Sequence, residues 1–253
     1  MTPAVPRLPT LRGARSSVGF DARFYEKSPV FWPIASFAAR FADRADFPEP
    51  PELDVLVSDG SLRFRPATGR PRRRPLPVDV RSLYDGRILL DGIVPTRRRS
   101  WHDYLNALVW AAFPRAKRAL HAEQLGELRS AIDANAGRLP NARSRRHDAL
   151  AIVDEGGVLV LRAEREVPIV FGHALFEELV ILARSVVPRA ILLDVEHVPE
   201  ARSEQLELAD SSLAARLRDR ELTVRSMPVA NLERVILGAP SCLMFEERSS
   251  EVS

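Results

Sequence analysis

The stretch SWHDYLNALVWAAFPRAK, from Ser100 to Lys117, predicts two consecutive helices that organise the fold. Ser100 is a favourable helix N-cap, and Asp103 lies three residues on, where its carboxylate can accept a hydrogen bond from the cap amide. Pro114 should end the first helix and suits the first turn of the second, which should stop at Gly137. The first helix carries a His, an Asp and an Asn beside two Trp. Because polar groups are costly to bury unpaired, we expect these to form bonds or to line a pocket.

The flanking segments predict an α+β fold of mixed helices and short strands. Apolar residues at helical spacing indicate further helices at 31–45, 172–187 and 203–219. Apolar runs indicate strands at 61–66, 87–96 and 190–195. Within the second of these, Asp91-Gly92 suggests a turn. The segment DALAIVDEGGVLVL predicts a β-hairpin at about 149–161, because turn-forming residues at 154–157 separate two apolar runs.

The chain shows no internal repeat and no clear domain boundary. We therefore expect one α+β domain over residues 19–228. Residues 1–18 are rich in Pro, Arg and Ser and are predicted to be disordered. For the C-terminal tail, residues 229–253, the pattern predicts no element.

The composition predicts a soluble, cytoplasmic globular protein. Hydrophobic residues make up 45% of the 253 residues and charged residues 28%. A single cysteine, Cys242, excludes an intramolecular disulfide framework and fits a reducing compartment. There is no secretory apolar region at the N-terminus and no apolar run near the ~20 residues that a membrane span needs, so no membrane association is expected.

The basic residues suggest one possible function. Residues 61–120 hold thirteen Arg and one Lys against four acids, whereas residues 191–253 are acidic overall. Two clusters could bind nucleic acid or another polyanion: Arg70, Arg72, Arg73 and Arg74, and then Arg97, Arg98 and Arg99. However, Arg outnumbers Lys thirty-five to two, which is typical of GC-rich codon usage. Solvated loops are the alternative interpretation of both clusters.

Two His-bearing helices contain the main candidates for chemistry. His102 and Asn106 are four residues apart and share a helix face. His173 and Glu177 have the same spacing in H-x-x-x-E, which can chelate a metal or orient the imidazole through the carboxylate. Two ligands do not make a metal site, and ordinary hydrogen bonds would also explain both pairs.

Other polar residues permit both functional and structural interpretations. Asp154 and Glu155 could serve a site or simply form the predicted turn, and Asp148 could pair with neighbouring arginines. Lys117 is one of two lysines in an arginine-rich chain and could bind an anion. The chain lacks P-loop, Rossmann, nucleophile-elbow, H-E-x-x-H and C-x-x-C motifs, which argues against the chemistries that depend on them.

Four segments together resemble a bacterial family known as domain of unknown function number 3025. They are YDGRILLDGIVPTR, WHDYLNALVWAAFPRAKRAL, RHDALAIVDEGG and FGHALFEELV, and the resemblance covers roughly residues 60–195. It implicates a set of polar positions: His102, Asp103, Asn106, Lys117, Asp148, Asp154, Glu155, His173 and Glu177. His147 departs from the family pattern, His121 stands where Asn is usual, and the C-terminus differs. The resemblance implies no known reaction.

Three hypotheses follow from these residues. The first is a metal-assisted, hydrolase-like enzyme acting on a small or anionic substrate, with a divalent metal held by His102, His173 and Glu177. The second is a non-catalytic module that binds nucleic acid or a polyanion through the Arg clusters. The third is a buried polar network that stabilises the fold without catalysis. The first requires the His102 and His173 imidazoles to lie close together.

Overall fold

A computed structural model describes residues 18–69, 76–181, 186–218 and 227–230 of the chain. It has the mixed α+β architecture that the sequence predicts. The helices are α1 (Trp32–Ala38), α2 (Tyr84–Asp91), α3 (Trp101–Ala112), α4 (Pro114–Ala134), α5 (Arg145–Gly156), α6 (His173–Ile181) and α7 (Arg202–Leu217). The strands are β1 (Arg63–Pro66), β2 (Ile93–Thr96), β3 (Gly157–Arg162), β4 (Glu166–Val170) and β5 (Arg189–Asp194).

Helix α3 lies in the centre of the core. Its residues Leu105, Ala107, Leu108 and Val109 are fully buried, and α1 and α6 pack against it. At its N-terminus, aromatic side chains surround Trp101, with the Phe24 and Phe47 rings 5.3 and 5.1 Å away. Edge-to-face aromatic contacts of this kind add to the apolar burial. Trp101 is therefore part of the core packing.

The start of α3 confirms the predicted cap but not the predicted capping box. The Ser100 Oγ accepts a hydrogen bond from the Asp103 amide at 3.3 Å. The Asp103 carboxylate does not bind the Ser100 amide; it accepts hydrogen bonds from the Arg97 amide at 2.5 Å and the Arg97 guanidinium at 2.6 Å. A charged donor forms a stronger bond with a carboxylate than a neutral amide does.

Helix α4 begins at Pro114, as predicted, and takes its N-terminal cap from another helix. Phe113 has no side-chain oxygen, and Asp210 of α7 accepts hydrogen bonds from the Arg115 amide at 3.1 Å and the Ala116 amide at 2.7 Å. These bonds satisfy two amides that the first turn would otherwise leave unpaired. They also join α4 to α7.

A three-stranded sheet has the order β4-β3-β5, with β3 antiparallel to β4 and parallel to β5. Its central strand is buried on both faces, since every residue from Gly157 to Leu161 is buried. Strands β1 and β2 form a separate parallel pair in which Phe64 lies opposite Val94. Most of the residues that line the pocket described below lie on helices and not on these strands.

The β-hairpin predicted at about 149–161 is wrong in its position. Residues 145–156 form helix α5, and the hairpin is β3–β4, beginning at Gly157. Ser144 caps the helix by accepting a hydrogen bond from the His147 amide at 3.0 Å, and Leu150 and Val153 bury one helical face. Asp154 and Glu155 therefore lie in the last turn of a helix, which changes where their carboxylates point.

A second correction concerns the strand predicted at 87–96. Residues 84–91 form helix α2, which ends at Gly92 in a left-handed conformation with φ 65°, and only Ile93–Thr96 form a strand. Gly86 explains the difference, because a Cβ at this position would lie 2.0 Å from the Val80 carbonyl oxygen. Only glycine permits this contact between α2 and the preceding turn.

Three further predictions concern the first helix and the two ends of the chain. Helix α1 is shorter than the predicted 31–45 and continues as a 3-10 turn at Ala39–Phe41. The predicted disorder at 1–18 lies outside the described residues except for residue 18, as does the tail at 229–253 except for residues 229–230. Among the helices that can be described, none has the length and apolar character needed to cross a bilayer.

Candidate functional site

The imidazoles of His102 and His173 face each other where α3 meets α6. Their Nε2 atoms are 3.0 Å apart, although 71 positions separate the residues in sequence. Gly172 makes this contact possible, because a Cβ there would lie 2.5 Å from the Glu155 carbonyl oxygen. The start of α6 can therefore lie directly against the end of α5, which places His173 beside Glu155.

Each imidazole has a carboxylate near its other nitrogen. The Glu177 Oε2 is 2.9 Å from the His102 Nδ1, so Glu177 pairs with the His of α3 and not with His173 on its own helix. The Asp154 Oδ1 is 3.8 Å from the His173 Nδ1. A carboxylate at Nδ1 favours the tautomer whose Nε2 carries a lone pair, which is the arrangement found behind metal-binding histidines. Glu177 is thus placed to orient a ligand.

Glu155 supplies a third donor next to the two Nε2 atoms. Its Oε2 is 4.0 Å from the His173 Nε2, and donor atoms of His102, Glu155 and His173 all lie within 4.8 Å of one another. Ligands bound at ~2 Å around one ion must be about 3 Å apart or slightly more. The two Nε2 atoms, 3.0 Å apart, have this spacing, whereas the Glu155 carboxylate would have to move closer to share an ion with them. His102, Glu155 and His173 are thus a group that could hold a metal ion, with Glu155 in the place that the sequence prediction assigned to Glu177.

The two histidines differ in their affinity for a proton. Burial lowers the pKa of His173 to about 3, assisted by the positive charges of Lys117 and His102. Burial also opposes a charge on His102, but the hydrogen bond to Glu177 and the nearby carboxylate of Glu155 outweigh it and raise its pKa. Burial likewise raises the pKa of Glu155. His173 is consequently a neutral donor across the physiological range.

Lys117 lies behind the site and forms no part of the pocket lining. Its side chain is fully buried, and its Nζ donates to the Asp154 Oδ1 at 2.5 Å and the Asn106 Oδ1 at 2.9 Å. The Trp110 ring lies 5.4 Å from the ammonium. Although burial disfavours the Asp154 carboxylate, the positive charge of Lys117 and its hydrogen bond outweigh this effect and hold the pKa of Asp154 well below the usual range.

Helix α2 adds Tyr84 and Asp85 to the polar contacts around the site, and neither residue was predicted from the sequence. The Tyr84 hydroxyl accepts a hydrogen bond from the Asn106 Nδ2 at 3.3 Å, and the Asp85 Oδ1 is 2.8 Å from the His121 Nδ1. Burial of the hydroxyl and the nearby acid groups raise the pKa of Tyr84. Both residues precede the strand predicted at 87–96, and the sequence predicted no element for them. A helical interpretation would have placed Tyr84 and Arg87 on one face.

These side chains open onto a polar pocket with a volume of about 560 Å³. Six of its lining residues were predicted for catalysis or metal binding: His102, Asp103, Asn106, Asp154, Glu155 and His173. Tyr84, Arg87 and Arg97 line it as well. A concave site with convergent polar groups is the usual form of a small-molecule site.

Asp148, Arg98 and Arg99 do not line the pocket, whereas Arg97 does. Asp148 is exposed on α5 and does not line the pocket. The guanidinium groups of Arg97, Arg98 and Arg99 each pair with a carboxylate, those of Asp103, Glu49 and Asp46 respectively. Residues 70–75, with the four arginines of the first cluster, lie outside the described part of the chain. The described arginines are thus largely neutralised, which weakens the case for a polyanion-binding surface.

Comparison with protein families finds a similarity for the middle part of the chain. Residues 74–169 match the family model described as "Protein of unknown function (DUF3025)". The match is narrower than the 60–195 suggested by the sequence; the matched segment contains the site residues from Tyr84 to Glu155 but ends before His173. No curated protein and no solved structure matches the chain.

Proposed function

We propose that this chain is a metal-dependent enzyme of the hydrolase type. His102, Glu155 and His173 would hold one divalent ion of the zinc class, leaving a coordination position open to the pocket. The observation that supports this most strongly is the 3.0 Å separation of the two Nε2 atoms, with the Glu155 carboxylate 4.0 Å from one of them. Two imidazoles and one carboxylate form a donor set typical of catalytic zinc and of non-haem iron.

The protein groups have separate roles in this proposal. A bound divalent ion would activate a water molecule and polarise a substrate oxygen. Glu177 would hold the His102 ring through its Nδ1, and Asp154, itself paired with Lys117, would sit behind His173. Tyr84 and Asn106 line the pocket and are joined by a hydrogen bond, so they can orient a bound molecule.

Metal analysis of three histidine variants tests the proposal. The purified full-length protein, reconstituted with zinc, manganese or iron(II) and then dialysed, should retain close to one equivalent of one of these metals. His102→Ala and His173→Ala should lose it, since each removes a ligand. His197→Ala is the matched control, because His197 is an exposed histidine that pairs with Glu164 away from the pocket. A wild-type protein that retains no metal would disprove the proposal.

Hydrolytic activity should depend on the same ion. A panel of ester, phosphoester and amide substrates is appropriate, because the site does not by itself distinguish these bonds. Activity that disappears with a chelator and returns with the metal would support the proposed reaction type. Activity that persists in both histidine variants would contradict it.

A further inference from the structure

The cations around the pocket differ in whether they are already paired. Arg97 pairs with Asp103, and Lys117 with Asp154. Arg87 also lines the pocket and is half-buried, yet its side chain has no hydrogen bond or ion pair to any part of the chain that the structure describes. A half-buried guanidinium offers five donors in a planar fork that matches carboxylate and phosphate oxygens. Within the part of the chain that the structure describes, Arg87 is thus an unpaired cation in the same pocket as the candidate metal ligands.

Several contacts hold α2 in position and so determine where Arg87 points. Gly86 lets the helix lie against the Val80 carbonyl, at a distance that any side chain would prevent. Asp85 binds His121 of α4 at 2.8 Å, and Asp91 at the other end binds Arg81 at 2.8 Å. Residues on both sides of Arg87 thus have contacts that hold α2 in place, whereas the Arg87 side chain has no partner among the described residues.

Without a metal, the net charge of the site is negative and does not favour the binding of an anion. The carboxylates of Asp103 and Asp154 are neutralised by their partners, whereas Glu155 and Glu177 leave the site negative. A divalent ion at His102, Glu155 and His173 would reverse this sign. Together with Arg87 it would give two positive centres in one cavity of about 560 Å³.

We infer that the substrate carries an oxyanion, either a carboxylate or a phosphate, that Arg87 binds while the reacting bond lies at the pair of His Nε2 atoms. This inference rests on the proposed metal site and adds the class of substrate. Because Arg87 binds through a fork of donors, lysine should replace it only in part. Anion affinity should therefore depend on both the metal and Arg87.

Calorimetric titration of the metal-loaded, full-length protein tests this inference. The probes are inorganic phosphate, acetate and, as a neutral analogue of acetate, acetamide. Phosphate or acetate should bind to the wild type, and Arg87→Gln should weaken that binding at least about tenfold, as expected for loss of a charge-assisted pair. Arg87→Lys should lie between the two. The matched control is Arg98→Gln, whose side chain pairs with Glu49 outside the pocket and should leave the affinity unchanged.

The two anions distinguish the source of the oxyanion, and metal content distinguishes the two proposals. A response to phosphate alone indicates a phosphorylated substrate, and a response to acetate alone indicates a carboxylic acid. Equal anion affinity in Arg87→Gln and wild type, with equal metal content, would overturn the inference and leave the metal site standing. Absence of anion binding to the metal-loaded wild type would overturn it as well. Arg87-dependent binding to a protein that holds no metal would reject the metal enzyme and the stated need for a metal in anion binding, and only the role of Arg87 would stand.

Discussion

Glu177 is the residue whose role differs most between the sequence and the structure. Its H-x-x-x-E spacing suggests a partner on its own helix, yet its carboxylate contacts the His102 Nδ1 at 2.9 Å. Glu177 is buried, with 5% of its surface exposed. In our proposal Glu177 is thus a positioning residue for His102 and does not bind the metal.

Glu177→Gln should weaken metal binding without removing a ligand. The amide can donate to the His102 Nδ1, which would put the proton on the Nε2 that should bind the ion. We expect the metal Kd to rise about 10–100-fold, as for other carboxylates behind metal-binding histidines. A competition titration with a chromophoric chelator measures this change. Glu200→Gln, at an exposed position, is the control, and an unchanged Kd in Glu177→Gln would contradict the assigned role.

Lys117 and Asp154 form a buried ion pair in which each charge compensates the other. The Lys117 side chain is 0% exposed and that of Asp154 is 14% exposed. Removal of one partner leaves the other charge buried without compensation, which is far more costly than removal of both.

Lys117→Met should therefore lower the free energy of unfolding by about 3–5 kcal/mol. The double variant Lys117→Met/Asp154→Asn should recover a substantial part of this loss, because no isolated charge remains. Urea unfolding of the wild type, both single variants and the double variant gives the coupling. If the double variant is no more stable than the less stable single variant, the pair is not coupled as the structure indicates.

At the scale of elements, the site depends on the close approach of α6 to the end of α5. Gly172 permits this contact, since its backbone lies against the Glu155 carbonyl. The same contact brings His173 next to Glu155, and α3 then supplies His102 from the other side. The relative placement of three helices therefore determines whether the three donors meet.

Gly172→Ala should push α6 away from α5 and separate His173 from Glu155. The added Cβ would lie 2.5 Å from a backbone oxygen, which cannot move aside as a flexible side chain can. We expect at least a tenfold loss of metal affinity, on the order of 1.4 kcal/mol, together with reduced stability. Gly126→Ala is the matched control, because nothing lies within 4 Å of a Cβ there and alanine favours the helix. Metal affinity as tight in Gly172→Ala as in wild type would show that the contact does not position the donors.

At the scale of the whole molecule, the pocket joins parts of the chain that are distant in sequence. Helices α2, α3, α5 and α6 each contribute lining residues, and three of these helices would supply the metal ligands. The three donors come together only in the folded chain, so the metal site would exist only there. Metal binding should consequently stabilise the whole fold by mass action.

Free metal at about a hundred times its Kd should add about 2.7 kcal/mol to the free energy of unfolding. For a chain of this size, that corresponds to a rise of roughly 5 to 10 °C in Tm. Thermal unfolding with and without the reconstituting metal measures the shift. His173→Ala should show no shift at the same metal concentration. An equal rise in both proteins would indicate binding elsewhere.

The predictions from sequence succeeded where the information is local. The Ser100 cap, Pro114 at the start of α4 and the strands β1 and β5 depend on neighbouring residues and on burial of one face. They failed at residues 87–91 and 149–156, which were predicted as strands but lie in helices α2 and α5. In the first segment the decisive contact is between Gly86 and Val80, and in the second the apolar residues are compatible with either periodicity.

The sequence by itself determined that α3 and α4 are consecutive helices rich in polar groups, and it identified most of the residues that now surround the pocket. Only the tertiary structure decided which of them meet. Glu177 pairs with His102 across 75 positions, and Lys117 donates a hydrogen bond to Asp154. The Glu155 carboxylate lies near both histidines. The physical reason is that caps and periodicity act over a few residues, whereas burial and charge pairing depend on how distant helices pack.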